Sequence, residues 1–316
     1  MGIDNIDLKI LYCLDENARQ SNQQIARKIR TSKEVVAYRI KNLEKKNIIR
    51  GYQTIINTSK LGFNLYRVFL KLTNTNHEMI DEMINFLKRE PLVWWIGELE
   101  GRWDFLFGVW AKNPRDFKTF FDKFNLKFRK YIGERLISIL LSYQHYNQSY
   151  LIKKRENFNC RSIEDSEIEE IDKTDIKILK LISNNAKIPI IELASKLNLK
   201  SSTIIYRLKI LEKKEIIRGY RSILNFSLLG YDYYVIKINL NDIKDVDKLK
   251  EFLLQNPHVT DVIETIAGYD FDFDMMVNNQ KDYYNFIMEI KNKFPVREIE
   301  YFRVLNNYKL VYFPEF

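Results

Sequence analysis

Tyr38-Arg39-Ile40-Lys41-Asn42-Leu43-Glu44-Lys45-Lys46-Asn47-Ile48-Ile49-Arg50-Gly51-Tyr52 recurs 168 residues downstream as Tyr206-Arg207-Leu208-Lys209-Ile210-Leu211-Glu212-Lys213-Lys214-Glu215-Ile216-Ile217-Arg218-Gly219-Tyr220. The same offset carries Asp7-Leu8-Lys9-Ile10-Leu11 onto Asp175-Ile176-Lys177-Ile178-Leu179, and Leu61-Gly62-Phe63 onto Leu229-Gly230-Tyr231. Solenoid repeats run about 20–50 residues, so a period this long marks duplicated domains. Each copy is a control for the other.

Working outward, Ile6, Leu8, Ile10, Leu11 and Leu14 fit a helix with one apolar stripe. Ser21 caps a short second helix through Ile29, and Ser32 a third in which Val36, Ile40 and Leu43 fall at i, i+4 and i+7. In copy two Lys200 replaces the capping Ser32, and Ser201 is expected to cap one position later. Ile48–Ile56 and Ile216–Leu224 read as strands or wings. Three helices, a tight turn and a β element make a winged helix-turn-helix. Past Leu61 the pattern becomes β-α-β-β-α-β, with strands at Tyr66–Leu72, Val93–Leu99, Phe105–Trp110 and Ile137–Tyr143. That is the ferredoxin-like plan, and the last strand of its second copy is read at Ile299–Leu305. The fold class is α+β. The expected divisions are winged helices at 1–60 and 171–228, ferredoxin-like units at 61–150 and 229–316, and an acidic, flexible linker at 151–170.

On the repeated Tyr38–Tyr52 and Tyr206–Tyr220 strings, each repeat resembles a complete member of the Lrp/AsnC family of feast/famine transcriptional regulators. The resemblance implies an effector and dimerisation domain after the wing, with a Gly-x-aromatic-Asp loop. Gly101-Arg102-Trp103-Asp104 matches that loop; the second copy reads Ala267-Gly268-Tyr269-Asp270, its first Gly replaced by Ala. By resemblance Gly101, Asp104, Gly268 and Asp270 would hold a small effector, typically an amino acid, through the carboxylate.

If Val36, Ile40 and Leu43 face the core, the third helix presents Lys33, Glu34, Ala37 and Tyr38 to base edges, as Ser201, Ser202, Ile205 and Tyr206 do in copy two. Arg39, Lys41 and Arg50, with Arg207, Lys209 and Arg218, are expected on phosphates, which position without specifying sequence. Because Lys33-Glu34 and Ser201-Ser202 cannot make the same hydrogen bonds, two dissimilar half-sites are expected.

Charge supports a polyanion partner. Residues 1–60 hold 12 Lys/Arg against 6 Asp/Glu, and residues 171–226 hold 12 against 5, whereas 227–316 hold 10 against 15. Basic charge concentrated in the two helical modules is the footprint of duplex DNA binding. No apolar run approaches the roughly 18 residues of a membrane span, no signal peptide is evident, and Cys13 and Cys160 make neither a disulfide framework nor a metal cluster. A cytoplasmic, non-enzymatic protein without cofactor or metal is expected. Trp94, Trp95, Trp103 and Trp110 are expected to pack a sheet-to-sheet interface, with a ligand cage as the alternative. Asp270, Asp272 and Asp274 alternate along one strand face; that face is solvated or Arg-paired, or else a subsite for a cationic effector. His77, His145 and His258 are isolated in sequence.

Two other functions share this plan. The architecture also resembles the siroheme decarboxylase subunits, which hold tetrapyrrole carboxylates with Arg and His near the wing; here the wing strands contain no His. An architectural protein coating DNA with little sequence preference is the other. We expect the two effector-like domains to pair within one chain, giving a pseudo-twofold monomer that imitates a dimer and builds higher assemblies.

Overall fold

The structure, a computed structural model, describes residues 2–266 and 268–314. Asp4 starts the first helix by accepting the Ile6 and Asp7 N–H groups, while Asp7 reaches back to the Asp4 N–H at 3.2 Å. This reciprocal cap satisfies donors that the first turn leaves free. Helices α1 (Asn5–Glu16), α2 (Asn22–Ile29) and α3 (Lys33–Lys45) pack through Ile10, Leu11, Ile25, Val36, Ile40 and Leu43. Strand β1 (Ile49–Ile56) leads to the first ferredoxin-like unit: β2 (Asn64–Leu72), α4 (His77–Arg89), β3 (Val93–Gly101), β4 (Phe105–Ala111), α5 (Pro114–Phe128) and β5 (Ile132–Tyr146). A short strand β6 (Cys160–Glu164) precedes the second repeat: α6 (Lys173–Ser183), α7 (Ile190–Leu197), α8 (Ser201–Lys213) and β7 (Ile217–Leu224). Its ferredoxin-like unit is β8 (Asp232–Leu240), α9 (Val246–Gln255), β9 (Val259–Ile266), β10 (Phe271–Val277), α10 (Gln280–Lys293) and β11 (Val296–Leu310). Helix α8 begins at Ser201, but its cap position is Lys200 and no side chain caps it, so Ser201 does not take the capping role expected of it.

Among the described residues, the two wings form no strand pair within their own modules. They pair with each other, antiparallel, and Gln53 lies opposite Arg221, its own equivalent 168 residues on. Around that point contacts come in matched pairs. Ala18 N donates to Tyr220 O and Ala186 N to Tyr52 O, both at 2.9 Å; Asn57 N reaches Ile216 O and Asn225 N reaches Ile48 O. The chain thus builds within itself the reciprocal contacts of a twofold dimer.

The ferredoxin-like sheets also join. In each, the fourth strand lies beside the first, followed by the third and second. Both fourth strands are 15 residues long and serve two sheets. β5 pairs with β2 over its first half and with β9 over its second, placing His145 opposite Asp261. β11 pairs with β8 and then with β3, placing Phe302 opposite Gly101 and Leu310 opposite Trp95. Eight strands close into a ring without free edges between the units, which removes the pairing hazard of an open sheet. Gly101, at φ +140°, permits the seam, because a Cβ there would lie 3.2 Å from Tyr301 O and from Phe302 Cβ.

All four tryptophans are buried between the joined sheets with Phe69 and Phe302, the interface packing expected of them. The Trp94 indole occupies the space a Cβ on Gly108 would need. On the aspartate face Asp272 and Asp274 are buried rather than solvated, and Asp270 is half-buried. Asp272 binds both Arg67 and Lys237, and Asp274 accepts the Tyr233 hydroxyl at 2.5 Å.

The segment 151–170 departs from the flexible linker expected of its composition. β6 pairs with the end of β5, and the buried Arg161 bonds the Asp15 carbonyl and carboxylate. Glu169 N donates to Lys60 O at 2.8 Å. Its acidic residues hid a short strand and one buried cation.

Candidate nucleic-acid interface

Val36, Ile40 and Leu43 turn one face of α3 into the core; Lys33, Glu34, Ala37, Tyr38 and Lys41 stand exposed on the other. Tyr38 keeps 68% of its surface in solvent and Tyr206 66%, which for an aromatic side chain on a well-packed helix costs apolar hydration without return from the fold. In α8, Ser202, Ile205 and Lys209 are exposed and Ser201 half-buried. Ser32 Oγ accepts the Val35 N–H, and the Glu34 carboxyl is held below its usual range by its own N–H and the Ser32 hydroxyl. The repeated string also explains itself here: Tyr52 donates to Glu44 and Tyr220 to Glu212, each at 2.6 Å, tying each wing to its recognition helix.

The two arginines assigned to phosphates are engaged elsewhere. Arg39 binds Asp4 at 2.7 Å and Asp7 at 2.9 Å, and Arg207 binds Asp172 at 2.7 Å and Asp175 at 2.8 Å. Each clamps the third helix to the capped start of the first. Arg218 is half-buried against Glu215 and Ser162, while Arg50 is exposed and without an ion-pair partner among the described residues. Lys33, Lys41, Lys209 and Arg50 therefore remain as the free cations of the original set. Replacing Arg39 with alanine is expected to lower stability by about 1 kcal/mol in chemical denaturation, the scale of a partly exposed ion-pair network, and to leave the salt slope of DNA binding unchanged. A shallower slope in the folded variant would return Arg39 to the phosphates.

The Gly-x-aromatic-Asp loops are likewise committed. Asp104 accepts Lys71 at 2.8 Å through one oxygen and the Leu72 N–H at 2.7 Å through the other; Asp270 accepts the Leu240 N–H at 2.9 Å. These carboxylates fasten the β3–β4 and β9–β10 connections to the neighbouring strand. Gly268 has φ +86°, and Ala267 lies outside the described residues.

One cavity was not read from the sequence. A chamber of about 670 Å³ is lined by residues of all eight strands of the ring and by the paired wings, including Gln53, Arg221 and Ser222. His145, isolated in sequence, sits in its wall with Nδ1 2.5 Å from Asp261. Burial lowers the His145 pKa despite Asp261, so the ring is neutral at pH 7. Burial and the nearby Asp261 raise Asp274 well above the carboxylate range. Three of the four lining arginines are paired: Arg67 with Asp272, Arg221 with Asp15, and Arg303 with Glu100 and Asp232.

A winged helix-turn-helix DNA-binding family matches residues 3–50 and 171–218, the two helical modules. The leucine-responsive regulatory protein of Rhizobium meliloti (strain 1021) is 31% identical over 121 residues, covering 37% of this chain and 76% of that protein. The HTH-type transcriptional regulator LrpA of Pyrococcus horikoshii is 34% identical over 114 residues, covering 36% of this chain and 79% of its own. The chain belongs to the Lrp/AsnC family. Each relative aligns with little more than a third of the chain, as one repeat of a duplicated Lrp/AsnC protein would. A solved structure, the siroheme decarboxylase NirDL, superposes on 99% of this chain and 94% of its own with TM-score 0.65 at 12% identity. That likeness is one of fold, and it extends over both repeats. No helix among the described residues is long and apolar enough to cross a membrane.

Proposed function

We propose that this Lrp/AsnC protein is a sequence-specific transcriptional regulator carrying two different DNA readers on one chain. One observation carries the reading: two exposed recognition helices, related by a pseudo-twofold axis, are held by a shared β1–β7 ribbon. The residues at the start of the helices differ, Lys33-Glu34 against Ser201-Ser202, so each helix reads its own half-site. Exchanging Lys33-Glu34 for Ser-Ser is expected to relax preference in one half-site by about 1–3 kcal/mol per lost base contact. Competition binding with half-site variants checks this, and equal relaxation in both halves would count against separate readers.

By family resemblance we read an amino-acid effector site at the Gly101–Asp104 and Gly268–Asp270 loops. An ammonium group there would displace Lys71 from Asp104, so binding would loosen one hydrogen bond while making another, and only the difference between assembly states transmits a signal. A thermal-shift screen of amino acids is expected to find at least one stabiliser whose effect falls in Asp104→Ala. An unchanged shift there and in Asp270→Ala would move the effector site elsewhere. Pairing of the ferredoxin-like units within the chain makes the monomer the functional unit, from which higher assemblies are built.

The enzyme reading draws on the whole-chain fold likeness and on His145 in the chamber wall. A tetrapyrrole with several carboxylates would need several free cations, yet Arg50 alone among the lining arginines lacks a carboxylate partner among the described residues. The chamber does not suit such a polyanion. Absence of a haem-like absorption band after purification, and after adding an iron porphyrin, is the expected result; a saturable band would favour the enzyme.

A further inference from the structure

The two recognition helices share Tyr38 and Tyr206 at one position, and Lys41 and Lys209 at another, but differ around them. Four sites that are exposed in the first copy change character in the second. Gln23 becomes Ile191, Arg27 becomes Ser195, Lys33-Glu34 becomes Ser201-Ser202, and Ala37 becomes Ile205. Charged and amide groups give way to hydroxyls and branched apolar groups. Ile191 keeps 78% of its surface in solvent and Ile205 43%. The change extends to the wing, where Arg218 is held by Glu215, the counterpart of Asn47, while Arg50 stays exposed.

The packing of α8 does not require Ile205. Ile204, Leu208 and Leu211 make the core face of the helix, and a β-branched side chain lowers helix propensity below that of the alanine in copy one. Ile205 follows Ser201 and Ser202 by one turn and precedes Lys209 by one turn, so all four lie along one stripe of the helix. The chemistry of that stripe decides what it distinguishes. Ser201, Ser202 and Thr203 offer hydroxyls, which donate and accept alike and so tell bases apart poorly. Tyr206 is common to both helices and cannot make their readings differ. Ile205 has no hydrogen bond to give. In the major groove the apolar group it meets is the 5-methyl of thymine, which marks an A·T pair.

We propose that α8 reads its half-site through thymine 5-methyl groups, with Ile205 as the side chain that meets them, whereas α3 reads through hydrogen bonds from Lys33 and to Glu34. The inference rests on the regulator reading above and supplies the chemistry of one half-site. Ala37 presents a single methyl at the equivalent place, shorter than its neighbours Lys33, Glu34 and Tyr38, so methyl contact is minor in α3.

The test uses the full chain and a duplex enriched from random DNA. The half-site whose preference survives exchange of Lys33-Glu34 for Ser-Ser belongs to α8. Uracil then replaces thymine in one half-site at a time, which removes the methyl and keeps every hydrogen-bonding group. In the α8 half-site uracil is expected to weaken binding about fourfold for each methyl contacted, the worth of one buried methyl-sized group, and in the α3 half-site by less than about twofold. Ile205→Ala, which restores the residue of copy one at an exposed position, should abolish the response, and Ala37→Ile should create one in the α3 half-site. Four results would each overturn the proposal while leaving a sequence-specific regulator: an α8 half-site without an A·T pair, no uracil response there, an equal response in both halves, or a response unchanged in Ile205→Ala. If no duplex is enriched, the regulator reading fails and this inference with it.

Discussion

Asp272→Ala is expected to lower stability by about 3–5 kcal/mol, the cost of removing one partner from a buried ion pair. Asp272 stands between Arg67 of the first ferredoxin-like unit and Lys237 of the second, and all three are buried. Burial pushes the Asp272 carboxyl up, but Lys237 and Arg67 beside it push it further down, so it is ionised at neutral pH. A depressed carboxyl contributes stability above its unfolded value of about 3.9, lost as pH falls through the folded one. Burial, partly offset by Asp272, pushes Lys237 down to about 8. Without Asp272, Lys237 can shed its proton, whereas Arg67 cannot; the uncompensated Arg67 carries most of the cost. A neutral folded Lys237 against a protonated unfolded one makes the variant's stability climb with pH up to about 10.4. Urea denaturation at several pH values measures both effects. A further comparison is Arg67→Met/Lys237→Met/Asp272→Leu, where apolar groups replace every charge and most of the loss should return. A loss below about 1 kcal/mol in Asp272→Ala would mean that the joined sheets do not depend on this bridge.

The second large effect is on DNA. Net charges of +6 on residues 1–60 and +7 on 171–226 place the cations on the two reading modules. If the modules together neutralise about 6–10 phosphates, affinity should fall about 10³–10⁵-fold between 50 and 200 mM salt. Lys41→Ala and Lys209→Ala, on exposed sites, should each flatten the slope by about 0.9 log units per log salt. Titration of a labelled duplex at four salt concentrations reads both. Salt-independent binding would remove phosphate contact as the source of affinity.

The parts legible in the sequence are those specified locally. The helices of the first repeat carry their own periodicity and caps: Ser21 and Ser32 cap as read. The strands that close the ring were only half legible. Ile137–Tyr143 and Ile299–Leu305 read as single short strands, yet β5 and β11 run for 15 residues, because their outer halves are ordered by the other repeat's sheet. No local pattern encodes a partner more than 100 residues away. The same reason hid the chamber: Gln53, Trp94, His145, Ser222 and Asp274 come from five strands of both repeats. The Arg39 ion pairs were not legible because one guanidinium suits phosphate and carboxylate alike. A signal did exist, since Asp4 and Asp7 recur at the same distances before Arg207 as Asp172 and Asp175.

Selection of binding sites from random duplex DNA, using the intact chain, tests the central claim most directly. Two exposed and different recognition helices on one rigid ribbon should enrich a site with two dissimilar half-sites at one fixed spacing. A perfect palindrome, or no enriched sequence at all, would contradict it.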